Sequence, residues 1–120
     1  MSKKNIEKYI PKAMEVLDEN LNNGTFPKEY NGYISSFGAS VIQSGIKATL
    51  ALFENQNSTD RYKIIEFIFE VLKKYENLNT DETSLLRYFL SNQNQDILKI
   101  KIMDISIALK LSLRTFKKGD

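Results

Sequence analysis

Residues 30–55 read YNGYISSFGASVIQSGIKATLALFEN, an apolar stretch that is rich in small side chains. Its larger apolar residues recur every three or four positions, which predicts one apolar stripe on a helix: Tyr30, Tyr33, Ile34, Phe37 and Val41. Glycines lie among them, and Gly inside a helix costs about 1 kcal/mol relative to Ala. We therefore expect the small residues to allow tight packing against another helix. Gly45 is expected to break or bend the segment, with a short third helix from Ile46 to Phe53.

Turn residues on the amino-terminal side of this stretch predict one more helix. Ile6, Ile10, Met14 and Leu17 share a helical face, and the sequence Asn-Asn-Gly at residues 22–24 ends the helix near residue 21. Pro11 either starts this helix or kinks it, because proline lacks the N–H that a helix interior uses. Pro27 marks the start of the helix that contains the opening stretch, since proline is tolerated in a first turn.

Two further helices are predicted after the opening stretch. The polar loop at residues 55–60 supplies helix caps, and a fourth helix then runs to about Tyr75 with Phe67 and Phe69 off its apolar side. A short fifth helix carries four apolar residues and ends at the polar residues 92–95, with Thr80 or Asp81 as its cap. Those four residues are Leu85, Leu86, Phe89 and Leu90.

The last element is ambiguous, because residues 98–113 alternate between apolar and polar as a half-buried strand does. The same residues also form a helical seam with steps of three and four: Leu98, Ile102, Ile105, Leu109, Leu113 and Phe116. No turn divides the stretch into two strands, and Met103-Asp104 is a poor hairpin turn. We therefore predict a long apolar carboxy-terminal helix in an all-α compact bundle of about five to six helices, without a sheet.

The length, composition and charge of the chain limit the classes of protein to which it can belong. A chain of 120 residues with 42% hydrophobic content predicts a single helical domain over residues 1–120 with a core of its own. Neither a signal peptide nor a transmembrane segment is recognisable, so we expect a cytoplasmic protein with no membrane contact. The net charge of +2 is small, but residues 97–118 hold six basic residues and one acidic residue. Residues 54–96 hold five basic and eight acidic residues, so the basic excess lies on the last element.

The chain contains no Cys and no His. These absences remove thiolate nucleophiles, Cys-ligated metal sites, the usual general acid–base residue and the commonest metal ligand. The carboxylates show no paired arrangement suited to acid–base work, and no glycine-rich phosphate loop is present. We therefore predict no catalytic residues, no metal site and no cofactor. A carboxylate-dependent nuclease is the least favoured alternative.

The opening stretch also resembles a known family, the small helical subunit of type III-B CRISPR–Cas Cmr effector complexes. The likeness is carried by residues 33–45, YISSFGASVIQSG, by Ala48-Thr49-Leu50-Ala51, and by Ile10-Pro11-Lys12-Ala13. The resemblance implies an all-α fold and a non-catalytic role in antiviral defence. Such subunits stack side by side in a ribonucleoprotein particle, next to repeat-fold backbone subunits that hold the guide RNA and a Cas10-type large subunit. They help to cradle target RNA, which other subunits cleave.

Basic residues are the candidates for RNA contact. On a helix, Lys99, Ser106, Lys110, Arg114 and Lys117 project to one side, where four cations could follow a phosphate backbone. A solvated helix face is the alternative interpretation. Lys47, beside the Gly45 bend, is the further candidate. Tyr33, Phe37 and Gln43 are candidates for a subunit interface, whereas core packing is the ordinary fate of aromatic residues at this spacing. A helical protein-interaction module without nucleic-acid contact is the alternative function.

Overall fold

A computed structural model describes residues 3–56 and 59–119, which form six helices and two short strands. The helices are α1 (Lys3–Asn20), α2 (Glu29–Ser44), α3 (Ile46–Glu54), α4 (Tyr62–Glu76), α5 (Leu85–Ser91) and α6 (Gln95–Leu113). The strands are β1 (Thr25–Phe26) and β2 (Lys117–Lys118). The predicted all-α fold class is confirmed. Pro11 lies inside α1, and Asn57 and Ser58 of the predicted capping loop lie outside the described residues.

The core forms around α6. We call its large buried apolar residues the inner side of α6: Leu98, Ile102, Ile105, Leu109 and Leu113. This side packs most extensively against α1 and also against α2 and α4. The helical prediction for residues 98–113 is confirmed. Phe116, the last residue of the predicted seam, lies beyond the end of the helix but still packs against the core.

Gly45 joins α2 to α3 and redirects the chain. Its φ of +90° is one that side chains rarely adopt. Its N–H donates to the Val41 carbonyl at 2.9 Å, and its carbonyl accepts from the Thr49 N–H at 3.2 Å. The hydroxyls of Ser40 and buried Thr49, 2.7 Å apart, hold the two helices together beyond the bend. The predicted break at Gly45 is therefore confirmed.

One expectation about packing is wrong for the glycines of α2. The small residues of α2 were expected to bring another helix close, yet a Cβ built at Gly32 or Gly38 would meet no atom of the described residues within 4 Å. Phe67 and Phe69, expected off the main apolar side of α4, are both buried. They can be buried there because α4 packs against α1, α2, α3, α5 and α6, so more than one of its sides is covered.

A minimal sheet is present where none was expected. Asn23 and Gly24 adopt positive φ and turn the chain after α1, and β1 then pairs in parallel with β2. The Lys117 N–H donates to the Gly24 carbonyl at 2.9 Å, and the Gly119 N–H donates to the Phe26 carbonyl at 2.7 Å. The chain after α6 thus folds back onto the turn between α1 and α2.

The start of α5 is capped differently from the sequence prediction. Neither Thr80 nor Asp81 is the cap; Ser84 occupies that position. The carboxylate of Glu54, at the end of α3, accepts hydrogen bonds from the Ser84 hydroxyl at 2.8 Å and from the Leu86 N–H at 2.9 Å. A side chain remote in sequence therefore satisfies an N–H group that a helix start leaves free.

Candidate nucleic-acid interface

The four cations predicted to share one side of the last helix, Lys99, Lys110, Arg114 and Lys117, do not all lie on α6. Ser106, expected between the cations, is buried, with its hydroxyl donating to the Met103 carbonyl at 2.7 Å. The helix ends at Leu113; Arg114 is its cap residue and keeps helical backbone angles, whereas Lys117 lies in β2. The five predicted RNA-contact side chains occupy three places: Lys47 and Lys99 together, Lys110 between α2 and α6, and Arg114 and Lys117 after the end of α6.

Lys47 and Lys99 line one cavity at the bend between α2 and α3, which we call the elbow cavity. Its volume is about 380 Å³, and both lysines are exposed to solvent at its wall. Its remaining lining comes from the bend and from the beginnings of α3 and α6, with one ring from α5: Ser44, Gly45, Ile46, Ala48, Gln95, Asp96 and Phe89. The fold thus brings together two lysines that are far apart in sequence.

Two helices begin at the wall of the elbow cavity. Gly45 at the start of α3 and Asn94 at the start of α6 make no capping hydrogen bond with a side chain of their own. The first N–H groups of a helix carry partial positive charge and attract anions, phosphate included. Two helix starts and two ammonium groups therefore give this cavity a positive potential.

Asp96 opposes that potential. Its carboxylate lies in the first turn of α6 and lines the same cavity as Lys99. An acidic residue is stabilised at a helix start by the helix dipole, but it repels a phosphate group. The cavity therefore carries two ammonium groups and one carboxylate.

The three predicted interface residues differ in exposure. Phe37 is 0% exposed and packs edge-on against Phe53, with ring centroids 5.5 Å apart, so its side chain offers no surface to a partner in this structure. Tyr33 is partly exposed, and its hydroxyl donates to Asp60 at 2.9 Å, a bond that raises the pKa of the Tyr33 phenol. Gln43 is exposed near the end of α2. Tyr33 and Gln43 therefore remain accessible, whereas Phe37 belongs to the core.

Two classes of site are absent from the described residues. They contain no group of three or more acidic, His or Cys side chains that could hold a metal ion. Within the same residues, no helix has the length and apolar character needed to cross a membrane.

The elbow cavity was not predicted from the sequence, although both of its lysines were predicted to contact RNA. Lys47 lies two residues after Gly45, and a glycine at a bend between two helices marks a place where a new helix starts. The proximity of Lys99 to Lys47 could not be predicted, because Lys99 reaches the cavity only through the packing of α6 against α2.

Comparison with known protein families finds a match for most of this chain. The model of the family described as CRISPR-associated protein (Cas_Cmr5) matches residues 3–108. That span contains Lys47 and Lys99 but not Lys110, Arg114 or Lys117. No curated protein and no solved structure matches the chain. Because the match covers most of the sequence, this chain belongs to the CRISPR-associated Cmr5 family, the small-subunit family of type III-B systems.

Proposed function

We propose that this chain is a non-catalytic subunit of a type III-B CRISPR–Cas ribonucleoprotein complex that helps to hold target RNA in antiviral defence. It works in the cytoplasm, beside further copies of itself, repeat-fold backbone subunits and a Cas10-type large subunit. Membership of the Cmr5 family supports the assignment to the complex. The observation that supports RNA contact is the elbow cavity, where Lys47 and Lys99 meet two helix starts.

The elbow cavity contacts the RNA backbone and reads no sequence. Phosphate groups carry the negative charge that lysines and helix starts attract, and such contacts are independent of the base. Arg114 and Lys117, exposed after α6, provide a second and separate contact. One chain binds weakly, and several copies in one particle add their contacts through effective concentration.

The test is a double variant in the reconstituted complex. Lys47→Ala with Lys99→Ala should weaken target-RNA binding and lower its dependence on salt. For single-stranded RNA, the slope of log affinity against log salt decreases in magnitude by about 0.7 for each phosphate that the variant no longer neutralises. Filter binding at several salt concentrations measures both quantities.

The matched control is Lys12→Ala with Lys63→Ala, which removes the same charge from helix surfaces. Each of these lysines pairs with a glutamate three residues further on, Glu15 and Glu66. The control complex should bind RNA as the wild type does. Equal decreases in affinity for both double variants would mean that net charge alone matters. Unchanged affinity for both would favour a helical interaction module without RNA contact.

A single charge change sharpens this test. Asp96→Asn removes the carboxylate of the elbow cavity and keeps its shape, so target-RNA affinity of the complex should rise. The same filter-binding assay measures the rise, with Asp18→Asn on α1 as the control. Unchanged affinity for Asp96→Asn would contradict an RNA phosphate at the elbow cavity.

A further inference from the structure

The elbow cavity holds charged side chains of both signs that do not pair with one another. Lys47, Asp96 and Lys99 line it, and all three are exposed to solvent. Among the described residues, no ion pair and no hydrogen bond joins any two of these side chains. An ammonium group only donates hydrogen bonds and an ionised carboxylate only accepts them. The cavity therefore offers a ligand both donors and a separate acceptor.

The start of α6 accounts for an acidic residue at Asp96 but not for its place in the cavity. A helix dipole favours negative charge in the first turn. Glu29 fills the same role in the first turn of α2, and it is exposed away from the elbow cavity. Asp96 differs from Glu29 in standing beside two unpaired lysines, where a bound phosphate would be repelled by its charge.

The RNA backbone carries one group that can donate a hydrogen bond to this carboxylate. Phosphate oxygens accept hydrogen bonds and donate none. The ribose 2′-hydroxyl donates as well as accepts, and it is the group that lets a protein distinguish RNA from DNA. A DNA backbone would bring negative charge to Asp96 and no donor. An acceptor beside two lysines thus matches the backbone of RNA better than that of DNA.

The rest of the cavity suits a sugar. Its volume of about 380 Å³ lies within the usual range of small-ligand pockets, about 300–1,000 Å³. Apolar side chains from α3 and α5 form part of its wall, namely Ile46, Ala48 and Phe89. Apolar surface can contact the carbon atoms of a ribose while the charged groups engage its hydroxyl and the phosphate.

We propose that Asp96 accepts a hydrogen bond from a ribose 2′-hydroxyl of target RNA, and so makes the elbow cavity selective for RNA over DNA. This inference rests on the proposed function, in which Lys47 and Lys99 hold the phosphate backbone of the same strand. The lysines attract any phosphate chain, whereas the carboxylate disfavours a chain that lacks a donor. The cavity then reads the sugar and leaves the base unread.

The test uses the reconstituted complex and a series of target RNAs. In each target one nucleotide carries a 2′-fluoro group in place of the 2′-hydroxyl. Fluorine keeps the sugar in the RNA-like pucker but cannot donate a hydrogen bond. Competition filter binding should show affinity lower by about threefold to tenfold at the contacted positions, the range expected for one net hydrogen bond. Several copies of the chain in one particle should give several such positions.

Variants of Asp96 connect these positions to the elbow cavity. Asp96→Ala removes the acceptor, so the hydroxyl and fluoro targets should bind equally at those positions. Asp96→Asn removes the charge but keeps an acceptor oxygen, so the difference should persist. The ratio of the two affinities is the readout, because a change of charge alone affects both targets alike. Glu29→Ala is the matched control and should leave the ratio as it is in the wild type.

Two results would overturn the inference. One is a wild-type complex with no position sensitive to fluorine, and the other is sensitivity that persists in Asp96→Ala. Sensitivity in the wild type to an exchanged base, but not to fluorine, would count as the first result and assign the carboxylate to a base amino group.

The lysine variant distinguishes this failure from failure of the proposed function. If Lys47→Ala with Lys99→Ala weakens RNA binding while no position is sensitive to fluorine, the phosphate contact stands and the role of Asp96 is wrong. If neither the lysine variant nor fluorine changes binding, both are wrong.

Discussion

The helix α6 has two apolar sides, and the rest of the chain buries only one of them. The inner side is buried, whereas the outer side, formed by Ile100, Met103, Ile107 and Leu111, stays partly exposed. The inner side lies entirely within the core formed by α1, α2 and α4, whereas the outer side keeps Ile100 half exposed. The inner side is explained by the folding of this chain alone. The folding of this chain leaves the outer side and the lysines of the elbow cavity exposed, which makes both surfaces candidates for contact with other molecules.

The largest expected difference comes from shortening one residue on each side of α6. Ile102→Ala on the inner side should lower the free energy of unfolding by about 2–5 kcal/mol, because it leaves a cavity in a packed core. Ile100→Ala on the outer side should change it by less than about 0.5 kcal/mol. Urea unfolding of the free chain measures both. Equal destabilisation by the two variants would mean that the outer side is also packed by the chain itself.

Asp104 is the charged exception on the packed part of α6. Its side chain is buried, and its Oδ1 atom has no hydrogen-bond partner among the described residues. Burial raises the pKa of the Asp104 carboxyl, because it penalises the charged form. Asp104→Asn should therefore increase the free energy of unfolding at pH 7, because a neutral amide avoids the cost of burying a charge.

The stabilisation by Asp104→Asn should depend on pH. A raised pKa means that folding favours the protonated carboxyl, so its stabilisation is present below the ordinary pKa and lost as pH rises through the raised value. The advantage of Asp104→Asn should therefore be full at neutral pH and shrink as the pH falls towards the ordinary value. Urea unfolding of both proteins across this range measures it. An advantage that grows on acidification would contradict the burial of Asp104.

A smaller difference in stability is expected between two glycines, Gly45 at the end of α2 and Gly38 within it. The backbone at Gly45 requires glycine, whereas the backbone at Gly38 does not. Gly45→Ala should destabilise the free chain by about 1–2 kcal/mol, because the φ of +90° strains any side chain. Gly38→Ala should stabilise it by about 0.5–1 kcal/mol, because helical glycine is replaced by the best helix former. Thermal unfolding distinguishes the two. Destabilisation by both would indicate that α2 is packed closely at Gly38 in the folded chain.

Much of the fold could be predicted, because apolar residues spaced three and four positions apart mark the helix sides that this chain buries. The strand-like alternation in residues 98–113 has a physical cause: α6 carries apolar residues on both sides, and the lysines between them produce the alternation. The break between α2 and α3 could be predicted because glycine is common where the chain bends. These features depend on neighbours in the sequence.

The features that were missed depend on tertiary packing. The cap of α5 uses Glu54 from another helix, and the β1–β2 pair needs the chain after α6 to return to Gly24. The projected row of cations extends past the end of α6 at Leu113, and Ser106 on the same projected side is buried; a projection at 100° per residue shows neither fact. The joining of Lys47 and Lys99 required the packing of α2 against α6.

The most direct test of the difference between the two sides of α6 is hydroxyl-radical footprinting of the free chain and of the complete type III-B complex with target RNA. We predict that the complex protects Ile42, Ile100 and Ile107, together with Lys47 and Lys99 at the elbow cavity. The exposed surface of α1 and α4 should react as it does in the free chain. Protection confined to α1 and α4, with the outer side of α6 and the elbow cavity as reactive as before, would contradict the assignment of these surfaces to partners.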